Sequence, residues 1–197
     1  SADVCFISCK GMDESGKLIF AVDVLQFPYA EAEIVDAAFG ERDNLFCHIA
    51  VYNENARLTD AESVWEVASD GKIIREVVHY DYKNSDNPPS RQVMISGLHT
   101  TDEKLCYFYK AENKKRVVSV NPDNLQQTER VLTAQEGFAD IIRCHAMPGE
   151  GFLVLKNNGE IGTIFYDGTY EIFYKSEYNA VSEDVLFLQD VCMINEQ

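Results

Sequence analysis

Short polar turns recur along this chain, each flanked by apolar, β-rich runs. The clearest series lies in DIIRCHAMPGEGFLVLKNNGEIGTIFYDGTYEIF, from Asp140 to Phe173. Pro148-Gly149, Asn157-Asn158-Gly159 and Asp167-Gly168 separate four candidate strands there: Ile141–Ala146, Phe152–Lys156, Ile161–Tyr166 and Tyr170–Lys175. Asn-Gly and Asp-Gly between such runs are strong hairpin signals, because the turn needs residues that reach positive φ. The stretch therefore predicts a four-stranded antiparallel meander.

The same shape is repeated upstream. Glu33–Tyr82 reads as four strands with Ser69-Asp70-Gly71 before the last. Gln92–Thr133 follows a polar, proline-bearing linker, KNSDNPPS, and reads as a third copy. Residues 3–27 fit a hairpin, and Val185–Ile194 a closing first strand. The anchors Ile34, Val93, Ile141 and Val185 recur at intervals of roughly 45–60 residues, near the period of propeller blades. The expected fold is all-β and β-propeller-like. It has about three to four four-stranded antiparallel blades in one domain or fragment over 1–197, and it is open or partial as counted. A rival reading makes Tyr29–Phe39 and Asp123–Gln135 helices of a compact α+β binding domain. The first is rich in Ala and Glu, and the second opens on a possible N-cap Asp.

Several stretches resemble the WD-repeat and WD-like β-propeller superfamily. IVDAAFGERDNLFCHIA resembles a first strand, turn and apolar second strand. SVWEVASDGKIIREV resembles the next pair, with Trp65-Glu66 where Trp-Asp would stand. RVVSVNPDNLQQTERVL and GTIFYDGTYEIF are similar to third-to-fourth strand hairpins. The resemblance covers Glu33 to Lys175. It implies a protein-interaction scaffold, a subunit of an intracellular multiprotein complex, with a protein partner that completes or caps an open ring. A propeller-type hydrolase with a channel site is the competing expectation.

Charge narrows the partners. The net charge is −16, from 17 Lys and Arg against 33 Asp and Glu. That opposes binding to nucleic acid or to an anionic membrane, both of which attract basic surfaces. No apolar run reaches the roughly 18 residues of a membrane span, and the N-terminal residues carry no signal-peptide pattern. The first residue is Ser1, which suggests an expressed or excised fragment. The six cysteines sit within or beside apolar runs, as buried free thiols do, so a cytoplasmic or nuclear location is expected.

No catalytic, cofactor or metal set is assigned. Cys47-His48 and Cys144-His145 invite a zinc reading, but neighbours on a strand point to opposite faces. His99, read as a turn residue beside Asp102 and Glu103, is the one exposed candidate base. Lys110, Lys114, Lys115 and Arg116 form the basic cluster KAENKKR and are the candidate partner-binding residues. The aromatic residues of the later strands read as core.

Overall fold

A computed structural model describes residues 5–12, 15, 18–27, 31–53, 58–85, 88–90, 92–111, 114–133 and 141–175. All regular structure among them is β, so no described helix is available to cross a membrane. The chain divides into two compact units, Ser1–Val93 and Met94–Gln197.

The first unit holds a hairpin of β1 (Cys5–Met12) and β2 (Leu18–Phe27). It also holds one sheet of four antiparallel strands in sequence order: β3 (Ala32–Phe39), β4 (Asn44–Tyr52), β5 (Thr59–Ala68) and β6 (Ile73–Asp81). Alternation on β4 and β5 gives this sheet two unlike faces. Leu45, Cys47, Ile49 and Val51 face Val67, Trp65, Ser63 and Ala61 across the ladder and form an apolar cluster. Asn44, Phe46, His48 and Ala50 share the other face with Glu62, Val64 and Glu66. Every residue of β4 is buried, so both faces are covered.

The second unit contains two such sheets. One is built of β7 (Ile95–Thr101), β8 (Lys104–Ala111), β9 (Lys114–Val120) and β10 (Gln127–Leu132). The other is built of β11 (Ile141–Met147), β12 (Gly151–Lys156), β13 (Glu160–Phe165) and β14 (Tyr170–Lys175). They share a core in which Cys106, Phe108, Val117 and Leu132 pack with Ile141, Phe152, Val154 and Ile164. The two sheets approach most closely at their first strands, β7 and β11. Gly97 marks that approach: its φ is +63°, and a Cβ there would lie 3.2 Å from the backbone of His145 and Ala146. In the first unit, β1 likewise lies beside β3.

The meanders in the sequence are thus present, including the turn chemistry. Gly71, Gly159 and Gly168 have φ of 85°, 78° and 85°. The Asx residue ahead of each glycine accepts a backbone N–H two residues on: Asp70 from Lys72, Asn158 from Glu160, and Asp167 from Thr169.

The two helices of the α+β reading are overturned. Residues 32–39 form β3, paired with β4 from Ala32↔Val51 to Phe39↔Leu45. A full ladder and a neighbouring core outweigh the helix propensity of Ala and Glu. At 123–126 the Asn121 side chain accepts the backbone N–H groups of Asp123 and Asn124, and Leu125 takes φ 58°. Such local side-chain bonds compete with helix formation. Gln127–Leu132 then pairs with β9. The expected closing strand Val185–Ile194 lies outside the described residues, as do the side chains of Cys5 and Cys9.

Candidate functional site

The polar groups with most chemical scope in the second unit lie in one cross-strand row. Register sets His99 opposite Cys106, Cys106 opposite Ser119, and Ser119 opposite Thr128. Cys106, Ser119 and Thr128 of this row line an open cleft of about 320 Å³. Thr101, Asp102, Lys104, Val117, Glu129, Arg130 and Tyr166 complete its lining. The Arg130 stem lies across the β13–β14 turn, where a Cβ on Gly168 would fall 2.7 Å from its Cγ.

His99 is not an exposed turn residue. It lies on β7 and is 4% exposed. The misreading came from treating Thr100–Lys104 as a turn that His99 adjoins, whereas β7 runs on to Thr101. Its Nδ1 is 2.8 Å from the Gly97 carbonyl, which can only accept, so Nδ1–H donates there. In the neutral ring Nε2 is left to accept the Tyr166 O–H at 2.6 Å. His99 and Tyr166 each stack edgewise on Phe152, with centroids 5.1 and 6.1 Å away. The bond therefore ties the first strand of one sheet to the turn that follows the third strand of the next.

Burial pushes the Tyr166 phenol up to about 12, with the Cys106 sulfur adding to it; bonds from Thr101 and the Gly149 backbone act the other way. Burial also raises the Cys106 thiol, although Ser119, 3.6 Å from Sγ, and Lys104 both favour its ionised form. A neutral thiol is a poor nucleophile. Its neighbour His99 already has both ring nitrogens engaged and cannot take the thiol proton without breaking a bond. The arrangement is equipped to bind polar groups rather than to activate a nucleophile.

The basic cluster is split by strand alternation. Lys110 and Lys115 face each other across β8 and β9, and Ala111 faces Lys114. Lys110 is exposed, but Lys115 is 6% exposed and stands opposite the core residue Leu132. Arg116 points to the other face, 5.5 Å over the Tyr109 ring and 3.4 Å from the Glu129 carboxylate. Of the four, Lys110 and Lys115 share a face by register, and Arg116 takes the other.

The two Cys-His pairs are also divided. Cys47 belongs to the apolar cluster of the first unit, while His48 lies on the polar face, fully buried. His48 Nε2 is 2.7 Å from the Glu62 carboxylate, which also accepts the Tyr82 hydroxyl at 3.3 Å. Farther along that face Asn44 donates to Glu66 at 2.6 Å and Arg75 pairs with Glu66 at 2.7 Å. Cys144 faces the shared core of the second unit, and its thiol is raised by burial. Among the described residues no group of three or more His, Cys, Asp or Glu could hold a metal ion.

Sequence reasoning passed over Lys104, Ser119, Arg130 and the bonding of Tyr166. They sit on three separate strands and one turn, so only the strand register reveals them as neighbours. A second feature departs from the reading of the later aromatic residues as core, and it lies on β14, the last strand of its sheet among the described residues. Ile172, Phe173 and Tyr174 are 47%, 55% and 51% exposed on that edge strand. No protein-family model matches the chain, and no curated protein matches it.

Proposed function

We propose that the chain is a protein-interaction scaffold built from propeller-type blades, working as a subunit of a multiprotein complex. One observation carries the interaction role. β14 is the last strand of its sheet among the described residues, and it presents contiguous Ile172, Phe173 and Tyr174 to solvent. An edge strand leaves backbone N–H and C=O groups unpaired, and an apolar one is a template for a partner's strand. By contrast the last strand of the preceding sheet, β10, is blunted by Gln127, Glu129 and Arg130.

The blade reading draws support from three features. Each four-stranded sheet is a sequential meander. First strands of successive sheets within a unit lie side by side. The second strands β4 and β12 are buried along their whole length, as strands flanked on both faces are. The described cysteines Cys47, Cys106 and Cys144 are free thiols, the form that a reducing cytosol or nucleus maintains. On this reading the occupant of β14 is an extended segment of a protein partner.

The test is purification of the full chain from its native cells after mild crosslinking, beside an Ile172→Thr/Phe173→Asp variant. Both positions are exposed, so the variant should fold. The expected result is a protein partner retained by the parent chain and lost from the variant. A parent chain that emerges monomeric and without a partner would overturn the proposal.

A further inference from the structure

Asn158-Gly159 is the one Asn-Gly pair in the chain. It lies in the turn between β12 and β13, with Asn157 and Asn158 exposed and Gly159 half-buried. Such a pair is chemically fragile for a steric reason. The backbone nitrogen after an asparagine can attack that asparagine's side-chain amide, and a glycine puts no Cβ in the way. In this turn both reacting groups are held. The Gly159 N–H donates to the Lys156 carbonyl at 3.0 Å, and Gly159 has φ +78°. The Glu160 N–H donates to Asn158 Oδ1 at 3.0 Å, which fixes the side-chain amide. The residues that flank the turn are buried and paired. Lys156 Nζ is 3.3 Å from the Glu160 carboxylate and 4.4 Å from the centre of the Tyr170 ring. The same carboxylate meets Lys175 Nζ at 3.0 Å. Bringing the Gly159 nitrogen onto Asn158 Cγ therefore means giving up two hydrogen bonds and loosening the end of a pinned hairpin.

We propose that Asn158 is a deamidation site gated by opening of the β12–β13 hairpin, protected while the turn is closed and reactive once it opens. In the open turn the Gly159 nitrogen bonds to Asn158 Cγ and the Cγ–Nδ2 bond breaks. Ammonia leaves with the Gly159 amide proton, and a cyclic imide remains. Water then opens the imide at one of its two carbonyls. Attack at Cγ gives an aspartate at 158 with the main chain intact. Attack at the main-chain carbonyl gives isoaspartate, whose chain runs through the side chain and carries an extra methylene. The aspartate keeps the oxygen that accepts from Glu160, so the turn can re-form. Isoaspartate lengthens the link between two ladder-paired strands, so their register is not recovered. Opening of the hairpin is thereby recorded in a covalent change. The site is separate from the exposed residues of β14 and does not depend on the scaffold reading.

The experiment holds the full chain in mildly alkaline buffer, with and without denaturing guanidinium chloride, and follows the peptide that spans the turn by mass spectrometry. Denaturant should speed modification of Asn158 by about tenfold or more, because the native rate is the unfolded rate scaled by the fraction of time the turn is open. Asn157, whose following residue carries a side chain, serves as internal reference and should react more slowly than Asn158 in denaturant. Asn158→Asp should fold like the parent chain, with unchanged amide dispersion, since it keeps the acceptor for Glu160. Equal rates with and without denaturant would overturn the gating. Modification in denaturant no faster at Asn158 than at Asn157 would overturn the site, and an Asn158→Asp chain that fails to fold would overturn the distinction between the two products.

Discussion

At the scale of single residues, the buried polar pairs decide most. Glu62 accepts from both His48 and Tyr82 in a fully buried setting. Glu62→Leu should therefore cost about 3 kcal/mol in urea unfolding, because it strands a buried imidazole and a hydroxyl. Adding His48→Leu should restore part of that loss, and a double variant no more stable than the single one would refute the pairing. Tyr166→Phe should cost about 1–3 kcal/mol by leaving His99 Nε2 unsatisfied. It also makes a prediction about pH. The Tyr166 phenol is raised from 10 to about 12, so the folded state holds this proton more tightly than the unfolded chain. Its contribution is fully present below pH 10 and is lost as pH rises toward about 12. The parent protein should lose stability over that window more steeply than Tyr166→Phe. Tyr170, also raised to about 12 chiefly by burial, keeps some slope in both.

At the scale of elements, what matters is how closely strands of different sheets can approach. Gly97 sits at a register irregularity in β7, between Ser96 and His99. It combines positive φ with backbone neighbours from β11 at 3.2 Å. Gly97→Ala adds both αL strain and a tight contact, so a loss of about 1–3 kcal/mol is expected, with reduced protection of β7 and β11 amides. A neutral effect would show that the first strands can part without cost. The edge of β14 is modified in a related way. Gly162 faces Ile172 and Ile161 faces Tyr174, so Phe173 is the extra residue of a bulge. A bulge interrupts regular edge pairing. Phe173 at this bulge is 55% exposed.

At the scale of the whole molecule, stability should be graded across each sheet. Strands β4, β8 and β12 carry the largest buried side chains, whereas β10 and β14 are exposed along most of their length. Native-state hydrogen exchange should find the second strands opening only with global unfolding and the last strands opening at lower cost. Equal protection of β14 and β12 would contradict that grading. The sequence by itself determined the local periodicities. Two-residue alternation and Asx-Gly turns marked the meanders, because those signals depend only on a residue's own φ preference and on which neighbours it must face. The same alternation places Cys47 and His48 on opposite faces. It could not decide Ala32–Phe39, where helix formers became a strand because a ladder to β4 was available. Nor could it find the cleft or the burial of His99. Those depend on the register among β7, β8, β9 and β10 and on a second sheet closing over them. Register and sheet stacking are set by contacts between residues far apart in the chain, and only the tertiary structure supplies those contacts.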